Sequence, residues 1–363
     1  MDFENTVAVL GGGNGAHAMA ADLCSRGWTV RLYEMPRFKD NIRKVFETQS
    51  IEAEGLINGT FRLDRVTDDI EEAVDGAKYI IVITPAYAHK DYAILLKGKV
   101  SPGQTIITIP GAFAALVYKK VFGGDPCPML VDTNDLPYTT RVVAPGRVRI
   151  YAPESPGIGV FPSEKGGALL EEIRRIFPVR NLYADVMECG LALVNPALHS
   201  GPCILNAGPI EHPPTNFFLY EQGFTPAAAK VDKALDGERR DIAAAFGYDI
   251  NPFACFATIN DADYSWKDLY QGVHGEIGLT PIGGPNDLNS RYLTEDAPCG
   301  LVPWSFIGDL VGVETKTIDS IIHLYTVFHE RNWWAEGITL EDLGIQGMSA
   351  DDIKAFCRTG VKA

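Results

Sequence analysis

The sequence predicts two domains, an α/β domain with a parallel sheet followed by an all-α domain, and three observations carry that expectation. The 363 residues exceed one ordinary domain and suit two. Up to about residue 185, short apolar runs of strand length alternate with stretches of helical period, the pattern of βαβ units. Beyond that point the periodicity is mainly helical, which sets the expected domains at 1–185 and 186–363.

Residues 6–10 (TVAVL) read as a buried strand that runs directly into glycines. A helix is expected over 16–26 and a second strand over 28–33. Helices at 70–77 and 88–96 alternate with strands at 79–84 and 105–109, and further strands fall near 129–132 and 147–152. In the second half, 186–205 is apolar and of helical length. Thr225-Pro226 joins a capping hydroxyl to a proline in the first turn, opening a helix that ends at Gly247. Helices follow at 302–310 and 317–329, and Ser349-Ala-Asp-Asp352 has the form of a capping box. Glu211-His212-Pro213-Pro214 is expected to be a loop between helices.

The net charge of −15 excludes DNA and RNA as partners, because phosphate backbones need basic surface. It also means that any site for an anionic small molecule must hold its own cation. No apolar run approaches the roughly 20 residues of a membrane span, and residues 1–5 lack a basic or apolar leader, so the expected setting is the cytoplasm, away from membranes. Seven scattered cysteines without a Cys-x-x-Cys pair predict free thiols, and neither they nor the seven histidines have metal-ligand spacing, so no metal is expected.

Gly11-Gly12-Gly13-Asn14-Gly15-Ala16 fits G-x-G-x-x-G/A, placed after a strand and at the head of a helix. Gly11 permits the tight turn, Gly13 lets backbone approach a pyrophosphate, and Ala16 lets helix and strand pack closely. This is the fingerprint of a Rossmann dinucleotide fold, with the phosphates on free N–H groups at the positive end of the helix. Glu34 ends the next strand, eighteen residues beyond Ala16, where an acid receives the ribose hydroxyls and favours NAD. Arg37 keeps NADP open, since a nearby arginine can hold a 2′-phosphate. Pro85 and Ala86 follow a later parallel strand, where the nicotinamide half passes.

Hydride transfer to a carbonyl or imine needs a proton donor, a cation for a substrate carboxylate and an anion that holds the donor's tautomer. His199 is the candidate donor. It lies in Asn195-Pro196-Ala197-Leu198-His199, where Asn195 can cap a helix with Pro196 in its first turn, and Pro202 favours a kink that holds the ring at a cleft. Arg291 offers a fork suited to a carboxylate, and Asp296, five residues on, can hold one imidazole nitrogen. Asn195, Asn134 and Tyr292 are expected to contact substrate as well, with Thr133, Asp135, Arg141 and Trp304 as further lining candidates.

The segments GGPNDLNSRYLTED, GLVPWSFIGDLVGV and TKTIDSII resemble the opine dehydrogenase family, as do GGGNGAHAMAADL and NPALHS. The resemblance runs from Val7 to about Phe356, and Arg-x-x-x-x-Asp is its most specific part. It implies a Rossmann domain joined to an all-helical domain, with His199, Arg291 and Asp296 as the catalytic set. The implied reaction is reductive condensation of an L-amino acid with a 2-oxo acid by NAD(P)H, giving a secondary amine dicarboxylate. Arg291, buried beside the imidazolium, would bind the 2-oxo acid carboxylate and so answer the acidic charge of the chain. A homodimer is the expected assembly.

Two rivals stand beside this reading. A reductase of a small 2-oxo or hydroxy acid, of the ketopantoate or glycerol-3-phosphate type, would place a lysine early in the second domain, yet residues 181–229 contain no Lys or Arg. A non-catalytic NAD(P)-binding sensor would keep the glycine loop without the His, Arg and Asp set.

Overall fold

The computed structural model describes residues 5–125, 127–212, 217–257, 259, 261–274 and 283–362. Pro213 and Pro214, expected in a loop, lie outside the described residues. The chain packs as two compact units, 1–190 together with 355–363, and 191–354. The sequence reading placed the boundary near residue 185 and kept the C-terminal helix with the second domain.

The first unit holds eleven described strands: β1 (Thr6–Leu10), β2 (Thr29–Tyr33), β3 (Ser50–Gly55), β4 (Gly59–Arg62), β5 (Arg65–Thr67), β6 (Tyr79–Val82), β7 (Thr105–Thr108), β8 (Met129–Thr133), β9 (Tyr138–Ala144), β10 (Arg147–Pro153) and β11 (Ile158–Phe161). Seven form a sheet in the order β11-β8-β7-β6-β1-β2-β5. Every neighbouring pair is parallel except β8 and β11. The central strands β1, β6 and β7 are buried throughout, which is why they read as unbroken apolar runs. From β1 the chain winds to β2 on one side and later to β6 on the other, so the strand order reverses at the carboxyl end of β1. The glycines begin there.

β10 does not extend this parallel sheet as expected. It joins a second sheet of order β4-β3-β10-β9, antiparallel except for the β3–β10 pair. Ile51, Ala53, Val148 and Ile150 turn inward to the core while alternate residues face out, the period of a sheet with one wet face.

The second unit is helical, with Asn195–Leu205, Pro226–Ala245, Trp266–Val273, Val302–Val311 and Lys316–His329 as its longer helices. The apolar stretch 186–205 is broken, Val186–Leu191 ending before Asn195–Leu205 begins. Pro196 has no N–H to donate and its ring crowds the preceding turn, so it suits the first turn of a restarted helix, whereas Pro202 lies inside that helix. Thr225 caps Pro226–Ala245 by accepting from Ala228 N–H, and Gly247 takes φ +77° just past its end. Ser349 and Asp352 exchange the two bonds of a capping box.

The centre of this unit contains a fully buried ion pair. Arg239 donates to Asp236 Oδ1 at 3.0 Å through Nε, to the Leu191 carbonyl at 2.7 Å and to the Asn251 carbonyl at 2.9 Å. Asp236 also accepts from Phe253 N–H at 3.2 Å and from the Tyr264 hydroxyl at 3.0 Å. One pair thus ties the long helix to three flanking segments. Asp236→Ala strands a buried guanidinium and is expected to cost about 3–5 kcal/mol in urea unfolding; a loss below about 1 kcal/mol would show that the pair does not organise the unit.

Candidate active site

In the first unit the glycines divide by what surrounds them. Gly11 has φ +120°, and a Cβ there would lie 2.4 Å from the Ile83 carbonyl oxygen. A Cβ on Gly12 would meet Glu34 Oε2 at 2.5 Å, and one on Gly15 would meet Ile83 Cγ2 at 2.7 Å. These three positions are glycine because Glu34, just after β2, and Ile83, just after β6, pack against them. Gly13 differs: nothing lies within 4 Å of its would-be Cβ. It precedes the helix Asn14–Ser25 in extended backbone, and no side chain caps that end. Uncapped N–H groups beside an open glycine fit the phosphates of a dinucleotide. Ala16 is fully buried, the close helix–sheet packing expected of it.

Glu34 lies buried at the end of β2, accepting from Met35 N–H at 2.7 Å and from the Gly12 backbone. Burial pushes its carboxyl above the ordinary value, against the pull of those two bonds and of Arg37. Arg37 itself is exposed and pairs with Asp91 Oδ2 at 2.7 Å. Pro85 introduces the short turn Ala86–Ala88 after β6. The Asn14 side chain is engaged with the second sheet, its Oδ1 accepting from Val142 N–H at 2.8 Å.

In the second unit, His199 Nδ1 lies 2.6 Å from Asp296 Oδ2, and both residues are more than nine-tenths buried. The two stand 97 residues apart in the sequence. His199 projects from the second turn of Asn195–Leu205, where Pro196 occupies the first turn. Asn195 is the first helical residue, not its cap, and makes no side-chain capping bond. Within that helix Gly201 N–H donates to Asp232 Oδ1 at 2.7 Å. Asp296 follows the short helix Arg291–Thr294, whose start is capped by Ser290. Tyr292 in that helix lies parallel to the imidazole at 4.0 Å.

Arg291 departs from expectation. Its side chain is 61% exposed, not buried, and its Nε lies 3.0 Å from Glu295 Oε2 one turn on. The five-residue spacing explains the difference, because on a helical path Arg291 and Asp296 point to different sides. Asn134 is tied to the first unit's sheet, its Oδ1 accepting from Gly157 N–H at 2.8 Å. Asp135 Oδ1 accepts from Leu136 N–H, Thr133 Oγ1 donates to the Asp135 carbonyl, and Arg141 donates to the Thr140 carbonyl. Trp304 is fully buried. Tyr220 and Glu295 were missed by the sequence reading. Tyr220 is buried against Tyr292, and its one signal is the aromatic-rich run at 217–220. The signal for Glu295 is its spacing of four from Arg291.

All seven cysteines are free, and among the described residues no cluster of His, Cys, Asp and Glu could hold a metal ion. No described helix is long and apolar enough to cross a membrane.

A doubly wound sheet with this glycine loop, joined to a helical unit with a buried His–Asp pair, defines an NAD(P)-dependent oxidoreductase of the Rossmann class. The family model for the NAD/NADP octopine/nopaline dehydrogenase alpha-helical domain matches residues 182–329. The opine dehydrogenase of Arthrobacter sp. (strain 1C) is 34% identical, over 97% of this chain and 98% of that protein. The structure of octopine dehydrogenase with NADH and pyruvate superposes with a TM-score of 0.76 at 21% identity, covering 99% of this chain and 98% of that one. NADP+-bound yersinopine dehydrogenase does so with a TM-score of 0.70 at 14% identity, covering 97% of each chain. This chain belongs to the opine dehydrogenase family, whose members are NAD(P)-dependent oxidoreductases acting on CH–NH bonds.

The glycine geometry separates folding from binding. Gly13→Ala is expected to leave the thermal midpoint within about 2 °C, since its Cβ meets no protein atom. It should weaken NADH binding, followed by fluorescence quenching, by about tenfold or more, a loss of about 1.4 kcal/mol. Unchanged NADH affinity would place the phosphates elsewhere.

Proposed function

We propose that His199, Asp296 and Arg291 carry the reductive condensation that this chain catalyses, in which an L-amino acid and a 2-oxo acid are joined and reduced by NAD(P)H to a secondary amine dicarboxylate. The observation that carries the assignment is the buried contact of 2.6 Å between His199 Nδ1 and Asp296. With Nδ1–H donated to the carboxylate, Nε2 is the nitrogen left to exchange protons with substrate. Asp296 fixes that tautomer and stabilises the imidazolium when it forms.

Condensation releases the carbonyl oxygen as water, which needs a proton; the imidazolium at His199 supplies it through Nε2. A nicotinamide cofactor, when bound at the glycine loop, supplies the hydride that reduces the imine carbon. With its proton given up, His199 is a neutral imidazole, and in the reverse direction it is the base that takes that proton back when water adds to the imine carbon. Arg291 holds the 2-oxo acid through its guanidinium N–H groups, with Glu295 Oε2 beside its Nε as an ion-pair partner at 3.0 Å. Its exposure gives an acidic chain a local cation that an anionic substrate can reach from solvent. Tyr292 and Asn195, near the imidazole on the same elements, complete the substrate surroundings in this reading. Glu34 favours NAD through the ribose, and the engagement of Arg37 with Asp91 leaves it less available to a 2′-phosphate. A cytoplasmic homodimer belongs to the same proposal, and light scattering on the purified protein tests the subunit number.

Oxidation of NADH and NADPH across paired L-amino acids and 2-oxo acids, with mass detection of the secondary amine, tests the reaction; cofactor oxidation with a 2-oxo acid alone, yielding a hydroxy acid, would overturn it. His199→Ala is expected to lower turnover by roughly 10²–10⁴ with NADH affinity unchanged, and full turnover would remove His199 from the chemistry. Arg291→Ala is expected to raise KM for the 2-oxo acid about tenfold or more with a smaller effect on the amino acid. The reverse pattern would assign the arginine to the other carboxylate.

A further inference from the structure

The imidazole of His199 is enclosed by more than its carboxylate partner. The Tyr292 ring lies 14° from parallel with it at 4.0 Å. The Tyr220 ring stands 6.3 Å away, tilted by 47°. Tyr220 is buried in the turn Leu219–Gly223, and its phenol lies against the Tyr292 side chain. The stacked ring is therefore held from two directions, by its own capped helix and by a phenol from another segment.

We propose that Tyr292 is a positioning residue for His199, whose ring face, braced by Tyr220, sets the imidazole plane and favours its protonated form. The inference rests on the proton role given to His199 above. A parallel aromatic pair is attractive, and the negative face of a phenol ring stabilises a cation above it more than a neutral ring. The other groups around the imidazole do not supply the same term. Asp296 binds Nδ1, and Glu295 and Arg291 pair with each other on the segment beside it. Asp232 comes from the helix Pro226–Ala245, Tyr325 from Lys316–His329, Cys203 from the His199 helix and Cys299 from the turn Ala297–Leu301. Burial pushes each of these four groups, and Tyr220, well above its ordinary value, towards the uncharged form. Among the described residues, the Asp296 carboxylate and the Tyr292 face are the groups seen against the imidazole that can favour a positive charge on it.

In the reductive direction His199 must start protonated, so activity falls as pH rises through its titration. Losing a contact that favours the protonated form moves that alkaline limb to lower pH. The test is the pH profile of kcat/KM for reduction, measured on the full-length wild type, Tyr292→Phe, Tyr292→Leu and Tyr220→Phe. Tyr292→Leu is expected to lower kcat/KM about tenfold and move the limb down by about 0.5–1 pH unit. Tyr292→Phe, which keeps the stacked ring, and Tyr220→Phe, which keeps the ring packed against it, should each hold the limb within about 0.2 unit. A limb unmoved in Tyr292→Leu overturns the proposal, as does a phenylalanine variant that shifts as far as the leucine. If Tyr292→Leu melts below the assay temperature, Tyr292→Met takes its place with the same expected displacement. Residual turnover of His199→Gln separates the two claims. A limb that vanishes there but does not move in Tyr292→Leu removes the stacking role alone; a limb that survives removes the proton role of His199 and the stacking role with it.

Discussion

A carboxylate and an imidazole, both removed from water, hold each other at 2.6 Å in the helical unit, and the arrangement around them follows from what that burial requires. Burying a charged group of either kind without a partner is costly. Asp296 lies between the capped helix Arg291–Thr294 and the turn Ala297–Leu301, and His199 one turn into a helix restarted by Pro196. Two segments far apart in the sequence must therefore come to one place for either residue to be buried. The aromatic rings of Tyr292 and Tyr220 exclude water from the contact while leaving the imidazole flat against one of them.

The charge of the chain gives this arrangement its functional sense. An excess of fifteen negative charges repels a dicarboxylate product and its 2-oxo acid precursor at long range. The cation that opposes that repulsion lies next to the pair: Arg291 is outward and reachable, four residues before Glu295 and five before Asp296. In the proposed reaction, binding and proton handling are divided between an exposed guanidinium and an enclosed imidazole. In the first unit a similar division runs through one loop. Gly11, Gly12 and Gly15 are required by the fold's own packing, and Gly13 alone faces open space.

Much of this was legible in the sequence because local chemistry decided it. The glycine loop announces itself through spacing, strand and helix together, and Thr225-Pro226 and Ser349…Asp352 cap their helices as their residue types require. His199 and Asp296 could be named from residue type and motif, and they do meet. What was not legible depends on tertiary placement. The alternation in β3, β4 and β9 becomes informative only once a second sheet exists to receive it. The exposure of Arg291 follows from a helical path through 291–294 that the polar, turn-rich sequence around it did not signal. Asn195 has the residue type of a cap yet enters the helix, because the chain turns one residue earlier at Val194. Asn14 and Asn134, plausible ligand contacts by position, are occupied by backbone N–H groups of Val142 and Gly157 that lie far along the chain.

The claim on which the account depends is that Asp296 holds His199 in the tautomer that leaves Nε2 to the substrate. Asp296→Asn preserves shape while exchanging a carboxylate for an amide, so it removes the charge and the preference for Nδ1–H without opening a cavity. Pre-steady-state reduction of the imine by this variant, with NADH saturating, is the most direct measurement. The rate is expected to fall by roughly 10²–10⁴ while NADH affinity and the melting temperature stay near their wild-type values. A rate within about threefold of wild type would contradict it.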